Sequence, residues 1–177
     1  IHVLFEWEQI PETIGYDLQF SQDLEFSYGV TQIFTEDLVH IEKDMIEWEN
    51  TYYWRVRASD YENEGPGEWL DTLSFTTGLP LSNPTINPID EELYANGLTV
   101  FGAFFNYFSA AIDKSGREIW NSGDNSFVYY STGKNGNIFG CELAPGTQNN
   151  LPGSERTFEG EITVSYTHLR AHETTLD

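Results

Sequence analysis

The sequence predicts an all-β protein. Apolar and polar residues alternate over short runs, which is the period of a half-buried strand, and Gly, Pro, Asn and Asp separate these runs. Residues 1–77 contain no window that combines sustained helical periodicity with a helix cap. Aromatic residues make up 15% of the chain, and side chains of this kind favour a packed core over disorder.

Residues 1–77 are expected to form a β-sandwich. Alternation at 3–7, 16–20 and 52–58 gives each run one apolar face, and two sheets that bury such faces against each other form a sandwich. Trp7 is the expected core anchor. Tyr52 stands at the start of a late strand, the position of a tyrosine corner, so its hydroxyl is expected to bond the backbone upstream.

Five short segments of this region resemble a fibronectin type III domain, and together they span nearly all of residues 1–77. They are Phe5–Trp7, Tyr16–Ser21, Thr51–Ala58, Gly65–Trp69 and Leu73–Thr77. The first strand of that family has no counterpart here. The resemblance implies a spacer or adhesive module of an extracellular bacterial protein. It assigns no chemistry, because one fold carries many functions.

Residues 78–93 are expected to be an interdomain linker, since Pro80, Pro84 and Pro88 resist regular pairing. Strands are predicted to resume in residues 94–163. The expected strands are 98–101, 108–112, 117–120, 127–130 and 137–140. The turns 113–116 and 133–136 join two pairs of them, since Asp-x-x-Gly and Asn-Gly suit tight turns.

Part of this second region resembles the beginning of the catalytic propeller of bacterial arylsulfotransferases. The resemblance lies in 96–102 and 107–121, above all in the hairpin sequence Ala111–Trp120. It implies a secreted or periplasmic enzyme that moves a sulfuryl group from a phenolic sulfate to a phenol through a sulfated histidine. A blade of some unrelated propeller is the alternative, because such blades share an Asp-x-x-Gly turn and a closing Trp.

Propellers contain about four to eight blades of roughly 40 to 45 residues each. Residues 94–163 supply little more than one blade by that measure, so the region is expected to be an incomplete β-propeller. The fold class expected for the whole chain is thus all-β, a fibronectin type III-like sandwich followed by a propeller segment.

No catalytic, cofactor-binding or metal-binding residue is assigned from the sequence, and no cofactor is expected. His2 and His40 are interpreted as structural residues of the sandwich. The nucleophilic histidine that the resemblance implies is expected farther along the propeller. Cys141 has no second cysteine and no nearby histidine before residue 164, so it is interpreted as a small apolar residue.

Two weaker patterns in the sandwich have a functional and a structural interpretation. Asp60–Gly65, with Glu68 and Asp71, imitates the oxygen spacing of a calcium loop, but its glutamates are bulky and a solvated loop is expected. Arg55 and Arg57 could receive a sulfate or glycan anion. Pairing with carboxylates on neighbouring strands is the expected alternative.

Residues 164–177 are expected to be non-native. In one reading frame, the transposase end and adjoining adapter of a sequencing library encode Val164 to Thr174 in order. No site is therefore built on His168 or His172. The chain starts at Ile1 rather than at a methionine, inside an alternating run, so it is expected to be an internal fragment.

The chain is strongly acidic, with a formal net charge of −21. This charge disfavours binding to nucleic acid and to anionic membrane surfaces, since both require clustered Lys and Arg. No run is long and apolar enough to span a bilayer. The first hypothesis is a fragment of a secreted arylsulfotransferase-like enzyme, whose substrate is a phenolic sulfate and which is inactive as a fragment. The alternative is a noncatalytic adhesion or ligand-binding protein at the cell surface, outside the cell or in the periplasm.

Overall fold

The computed structural model describes residues 1–60, 65–87, 97–104, 106–144 and 150–166. These residues form strands, turns and irregular segments without a helix, which confirms the predicted all-β class. Consequently the described ranges offer no helix of the length and hydropathy needed to cross a membrane. The chain divides into two compact units, Ile1–Leu79 and Pro80–Asp177.

Within its described residues, the first unit has six strands in two antiparallel sheets. The strands are β1 Val3–Glu6, β2 Tyr16–Ser21, β3 Thr31–Thr35, β4 Val39–Glu42, β5 Thr51–Ala58 and β6 Leu73–Thr76. One sheet pairs β1 with β4, and the other has the order β3-β2-β5-β6. In the second sheet, Leu18 lies opposite Val56 and Phe20 opposite Trp54. Because side chains alternate across a strand, these pairs share the face that packs inward.

Aromatic side chains dominate the core of the first unit. Phe5 stacks on Phe20 with 5.4 Å between ring centroids, and Trp7 meets Tyr16 edge to face at 5.6 Å. All four are buried, so the prediction of Trp7 as a core anchor is confirmed. The Nε1–H of Trp7 has no acceptor among the described residues. Burying an aromatic side chain removes about 150–250 Å² from water, a stabilisation of roughly 4–6 kcal/mol as an upper bound.

Tyr52 ties the start of β5 to the preceding loop. Its hydroxyl accepts a hydrogen bond from the backbone N–H of Glu47 at 3.1 Å and one from the side-chain amide of Gln22 at 3.2 Å. Its ring stacks on Phe75 at 5.6 Å. The predicted bond from the Tyr52 hydroxyl to upstream backbone is therefore confirmed.

The described residues of the second unit form seven strands in two antiparallel sheets, each ordered as the chain runs. The strands are β7 Thr99–Ala103, β8 Phe108–Ile112, β9 Glu118–Asn121, β10 Phe127–Thr132, β11 Ile138–Leu143, β12 Asn150–Arg156 and β13 Ile162–Tyr166. The sheet orders are β7-β8-β9 and β10-β11-β12-β13. The first five strands lie where the sequence predicted them. The last two were not predicted.

Three hairpins of this unit share one turn geometry. In each turn the first residue donates its N–H to the carbonyl of the fifth, at 2.8–3.0 Å, and the fourth donates to the carbonyl of the first, at 3.0–3.1 Å. The turns are 113–117, 133–137 and 157–161. Their fourth residues, Gly116, Gly136 and Gly160, have φ of 83°, 85° and 92°. Glycine suits this position because a positive φ strains other residues.

The two sheets of the second unit meet at the pair Gly102 and Ser109, here called the Gly102–Ser109 notch. The two residues lie opposite each other on β7 and β8. A Cβ on Gly102 would come within 2.7 Å of the carbonyl oxygen of Tyr129, so only glycine lets β10 approach. The fully buried Ser109 hydroxyl donates to the Phe127 carbonyl at 2.7 Å and accepts from the Tyr129 N–H at 2.8 Å. It thereby satisfies two groups at the edge of β10.

Part of the predicted linker attaches to the second unit. The backbone N–H groups of Leu81 and Ser82 donate to the buried carboxylate of Glu118, at 3.0 and 2.6 Å. The Ser82 hydroxyl bonds the same carboxylate. These contacts fix 81–82 beside β9, while 88–93 lies outside the described residues.

Val164–Tyr166 of the predicted non-native tail form the end of β13. They pair with β12, and the Tyr166 hydroxyl donates to the Glu155 carboxylate at 2.7 Å. This hydrogen bond raises the pKa of Tyr166. The pairing shows the conformation of these residues and leaves their adapter origin a prediction.

Candidate functional site

A small hollow opens in the second unit beside Trp120. Its volume is about 240 Å³. It is lined by the end of β9, the start of β10, residues of β11 and β12, and the turn 157–161. We call it the Trp120 hollow, and the residues that define it are Trp120, Asn125, Phe127, Ile138, Arg156 and Phe158.

Two perpendicular aromatic rings form one corner of the hollow. The indole N–H of Trp120 donates to the backbone carbonyl of Phe158 at 2.6 Å. The two rings lie 5.0 Å apart at an interplanar angle of 84°. Because the hydrogen bond fixes the indole and the Gly160 turn fixes Phe158, this apolar corner is preformed.

Arg156 brings a guanidinium to the hollow, but its charge is paired. Its Nη2 lies 2.7 Å from the Glu142 carboxylate and its Nε–H donates to the Ser154 hydroxyl at 3.0 Å. The guanidinium also lies 5.0 Å from the ring centroid of Phe127. Arg156 is buried, so the ion pair offsets the cost of its desolvation. The hollow therefore gains hydrogen-bond donors without an unpaired positive charge.

The remaining polar groups at the hollow are neutral except for the exposed carboxylate of Glu159. The Asn125 side chain is exposed, and the Thr157 hydroxyl oxygen accepts from the Glu161 N–H at 3.3 Å. Asn121 is engaged by its neighbours, since its amide donates to Glu118 at 2.6 Å. Among the described residues of the second unit there is no histidine. The hollow thus offers an aromatic surface and hydrogen-bonding groups, and none of the described residues that line it is a histidine.

The described histidines lie in the first unit, as structural neighbours of the core. The His40 ring stacks on Phe5 at 6.5 Å, and its Nε2 lies 3.4 Å from the Glu42 carboxylate. His2 precedes β1 and is half-buried. His168 and His172 lie outside the described residues. In the register His40 lies opposite Phe5, three residues along the chain from His2.

The buried carboxylate of Glu42 is held by backbone N–H groups. One carboxylate oxygen accepts the N–H groups of Lys43, Asp44 and Met45, at 2.8–3.0 Å. Burial opposes ionisation of Glu42, but these donors and His40 together outweigh it and lower its pKa. The carboxylate closes the loop that follows β4.

Arg55 and Arg57 lie on the outer face of the four-stranded sheet. Arg57 forms an ion pair with Asp17 on β2 at 2.9 Å, which confirms the predicted cross-strand pairing for this residue. The prediction is wrong for Arg55, which instead donates two bonds to the Gln19 side-chain oxygen, at 3.0 and 2.8 Å. A neutral amide stands opposite Arg55 in the register. Burial and the nearby charge of Arg57 lower the pKa of Arg55.

Trp69 covers both arginines, a contact that the sequence did not reveal. The guanidinium carbons of Arg55 and Arg57 lie 4.5 and 4.3 Å from the Trp69 ring, and that of Arg55 also lies 4.0 Å from Phe26. Leu70 donates its N–H to the Val56 carbonyl at 2.9 Å, which holds this segment beside β5. The stacks consolidate the outer face.

The calcium and cysteine candidates have structural roles where the structure describes them. The Asp60 carboxylate accepts the Gly65 N–H at 3.1 Å, whereas 61–64 lies outside the described residues. The described residues, Glu68 and Asp71 included, contain no group of three or more His, Cys, Asp or Glu side chains arranged to hold a metal. Cys141 is buried with its Sγ 3.0 Å from the Tyr130 hydroxyl, and this contact raises the pKa of Tyr130.

Comparison with protein-family models, with curated proteins and with solved structures gave no match for this chain. Function is therefore inferred from the chain's own residues and their geometry.

Proposed function

We propose that this chain is part of an extracellular or periplasmic arylsulfotransferase-like protein. In this proposal a fibronectin type III-like sandwich precedes the opening blades of a propeller. The whole protein transfers a sulfuryl group from a phenolic sulfate to a histidine nitrogen, with release of the donor phenol, and then to an acceptor phenol.

The observation that carries the proposal is the β8–β9 hairpin, Ala111–Trp120, whose sequence resembles that of the arylsulfotransferase propeller. Its turn is held by Asp113, whose carboxylate accepts the N–H groups of Ser115 and Arg117 at 2.9 and 3.0 Å. Burial opposes ionisation of Asp113, but the hydroxyl of Ser115 and these donors lower its pKa. Two successive meander sheets follow the pattern of propeller blades.

The first unit supports the fibronectin type III-like part of the proposal. Its sheets, β1-β4 and β3-β2-β5-β6, have the strand order of that family when the first strand is left out. The Tyr52 hydroxyl bonded to the Glu47 N–H is the corner expected of such sandwiches. In this arrangement the sandwich spaces or positions the propeller and takes no part in the chemistry.

The described residues supply the scaffold and a binding surface, while the nucleophile belongs elsewhere. His2 and His40 are the only histidines among the described residues, and both belong to the sandwich. The two sheets formed by the described part of the second unit are fewer than the roughly four to eight blades that close a propeller. This chain by itself is accordingly expected to be inactive.

The test is a transfer assay on the protein encoded by the complete source gene, with 4-nitrophenyl sulfate as donor and phenol as acceptor. We expect release of 4-nitrophenol that depends on phenol, with phenyl sulfate detected by mass spectrometry. His40→Gln is the matched control and should retain turnover, since His40 packs on Phe5. A folded, complete protein without acceptor-dependent release contradicts the proposal.

The Trp120 hollow favours a second candidate, a noncatalytic extracellular ligand-binding protein. The hollow offers an aromatic corner, neutral polar groups and the Glu159 carboxylate, but no described histidine. In this case the sandwich serves as a spacer. The same assay distinguishes the candidates, because a binding protein retains ligand without releasing 4-nitrophenol.

A further inference from the structure

We propose that the Trp120 hollow binds a neutral hexopyranose, the six-membered ring of a common monosaccharide. Three properties of the hollow carry this assignment: its volume, its aromatic corner, and the paired charge of its arginine. The assignment does not depend on sulfuryl transfer by the whole protein, since no step of that reaction uses the hollow.

The volume of the hollow fits one sugar ring. It measures about 240 Å³. A monosaccharide displaces a volume of this size, whereas sites for drug-sized ligands begin at roughly 300 Å³. For a ligand this small we expect a dissociation constant on the order of 1–10 mM.

The aromatic corner matches the apolar face of a sugar. A pyranose presents C–H groups on its faces and hydroxyls around its edge. The rings of Trp120 and Phe158, 5.0 Å apart at 84°, provide two apolar walls for those C–H groups. Because the Trp120 indole N–H is bonded to the Phe158 carbonyl, the walls require no rearrangement on binding.

The polar groups of the hollow match the hydroxyl edge. A sugar hydroxyl both donates and accepts, as do the exposed Asn125 amide and the Thr157 hydroxyl. Arg156 adds N–H donors, and its charge is paired with Glu142 at 2.7 Å. An anionic ligand is disfavoured, because no unpaired cation faces it from Arg156 and the chain carries a net charge of −21. The exposed Glu159 carboxylate at the hollow disfavours an anion further and can accept hydrogen bonds from sugar hydroxyls. These polar groups therefore suit a neutral ligand with hydroxyls.

Ligand-observed saturation-transfer NMR on the full chain tests the proposal. The probes are methyl glucoside, methyl galactoside and methyl mannoside, each titrated to about 20 mM, with 4-nitrophenyl sulfate as the anionic comparison. The variants are Phe158→Ala, which removes one wall, and Asn125→Ala, which removes an exposed amide. Lys134→Ala is the matched control, because Lys134 has the place of Phe158 in the equivalent turn 133–137 and lies outside the hollow.

We expect at least one glycoside to bind. The dissociation constant should rise about threefold to tenfold in Asn125→Ala, the range for one hydrogen bond, and at least as much in Phe158→Ala. Lys134→Ala should bind as the unaltered chain does. The proposal is overturned if no glycoside binds, if both hollow variants bind unchanged, or if 4-nitrophenyl sulfate alone shows binding that depends on Phe158. Sulfuryl transfer, which is measured separately, can fail without affecting any of these outcomes.

Discussion

Replacement of Ser109 by alanine tests how the two sheets of the second unit are joined. Ser109 is fully buried, and its hydroxyl satisfies the Phe127 carbonyl at 2.7 Å and the Tyr129 N–H at 2.8 Å. Alanine fits the same space but leaves both backbone groups without their partner. An unsatisfied buried polar group costs about 1–3 kcal/mol. With two such groups, we expect Ser109→Ala to destabilise the second unit by about 2–6 kcal/mol.

The measurement must report on the second unit alone, because two units can unfold in separate transitions. Native-state hydrogen exchange does so, since the Tyr129 amide is the donor that loses its acceptor. Its protection factor should fall by at least tenfold in Ser109→Ala. In urea unfolding, the transition of the second unit should move to a lower urea concentration.

Ser131→Ala is the matched control, because Ser131 lies on β10, the strand of Tyr129, and is exposed. Its effect should stay within about 0.5 kcal/mol, as for other surface substitutions. Unchanged Tyr129 protection in Ser109→Ala, with stability within about 0.5 kcal/mol of the unaltered chain, would refute the role assigned to the notch.

Three further predictions concern the notch and the sandwich. Gly102→Ala should destabilise the second unit by about 1–3 kcal/mol in urea unfolding, since its Cβ would lie 2.7 Å from the Tyr129 carbonyl; Gly97→Ala, with no atom within 4 Å, is the control. Tyr52→Phe should lower the free energy of unfolding by about 1–2 kcal/mol, because the Glu47 N–H loses its acceptor. Tyr53→Phe is the control, and equal stability of the two variants contradicts this prediction. In the folded protein the pKa of Glu42 lies below its ordinary value of 4.5. The stabilisation of the fold by the Glu42 carboxylate is therefore present above pH 4.5 and is lost as the pH falls through the folded pKa. Glu42→Gln should therefore flatten the acid-induced loss of stability in circular dichroism, and an unchanged acid profile counts against it.

Period-two patterning predicted the strands of both units that alternate clearly. The runs at 3–7, 16–20 and 52–58 became β1, β2 and β5, because each buries its apolar face in the aromatic core. β12 could not be predicted in this way. It contains Pro152, and proline lacks the N–H that a ladder requires. The register shift between Cys141 and Leu143 on the neighbouring strand lies beside this segment, so the ladder tolerates the proline at an irregularity.

The candidate site was less predictable than the fold. Trp120 belongs to the hairpin that the sequence singled out, but Arg156 and Phe158 come from a segment with no predicted strand. Their approach to Trp120 is a tertiary contact between strands of different sheets, which no local pattern encodes. The one sequence signal was the spacing Thr157-Phe158-Glu159-Gly160, which repeats the placement of glycine in the two predicted turns.

That repeated turn accounts for where the hollow forms. Glycine at the fourth position allows the positive φ that all three turns share, so the other turn residues can vary without changing the hairpin. The second residue of each turn differs: it is Lys114 in the first, Lys134 in the second and Phe158 in the third. Lysine at this place extends into water, whereas Phe158 has an apolar ring that packs against Trp120. The corner of the hollow therefore depends on one aromatic residue in an otherwise repeated turn. The other two turns have the same backbone geometry but no aromatic residue at this place, and they form no such corner.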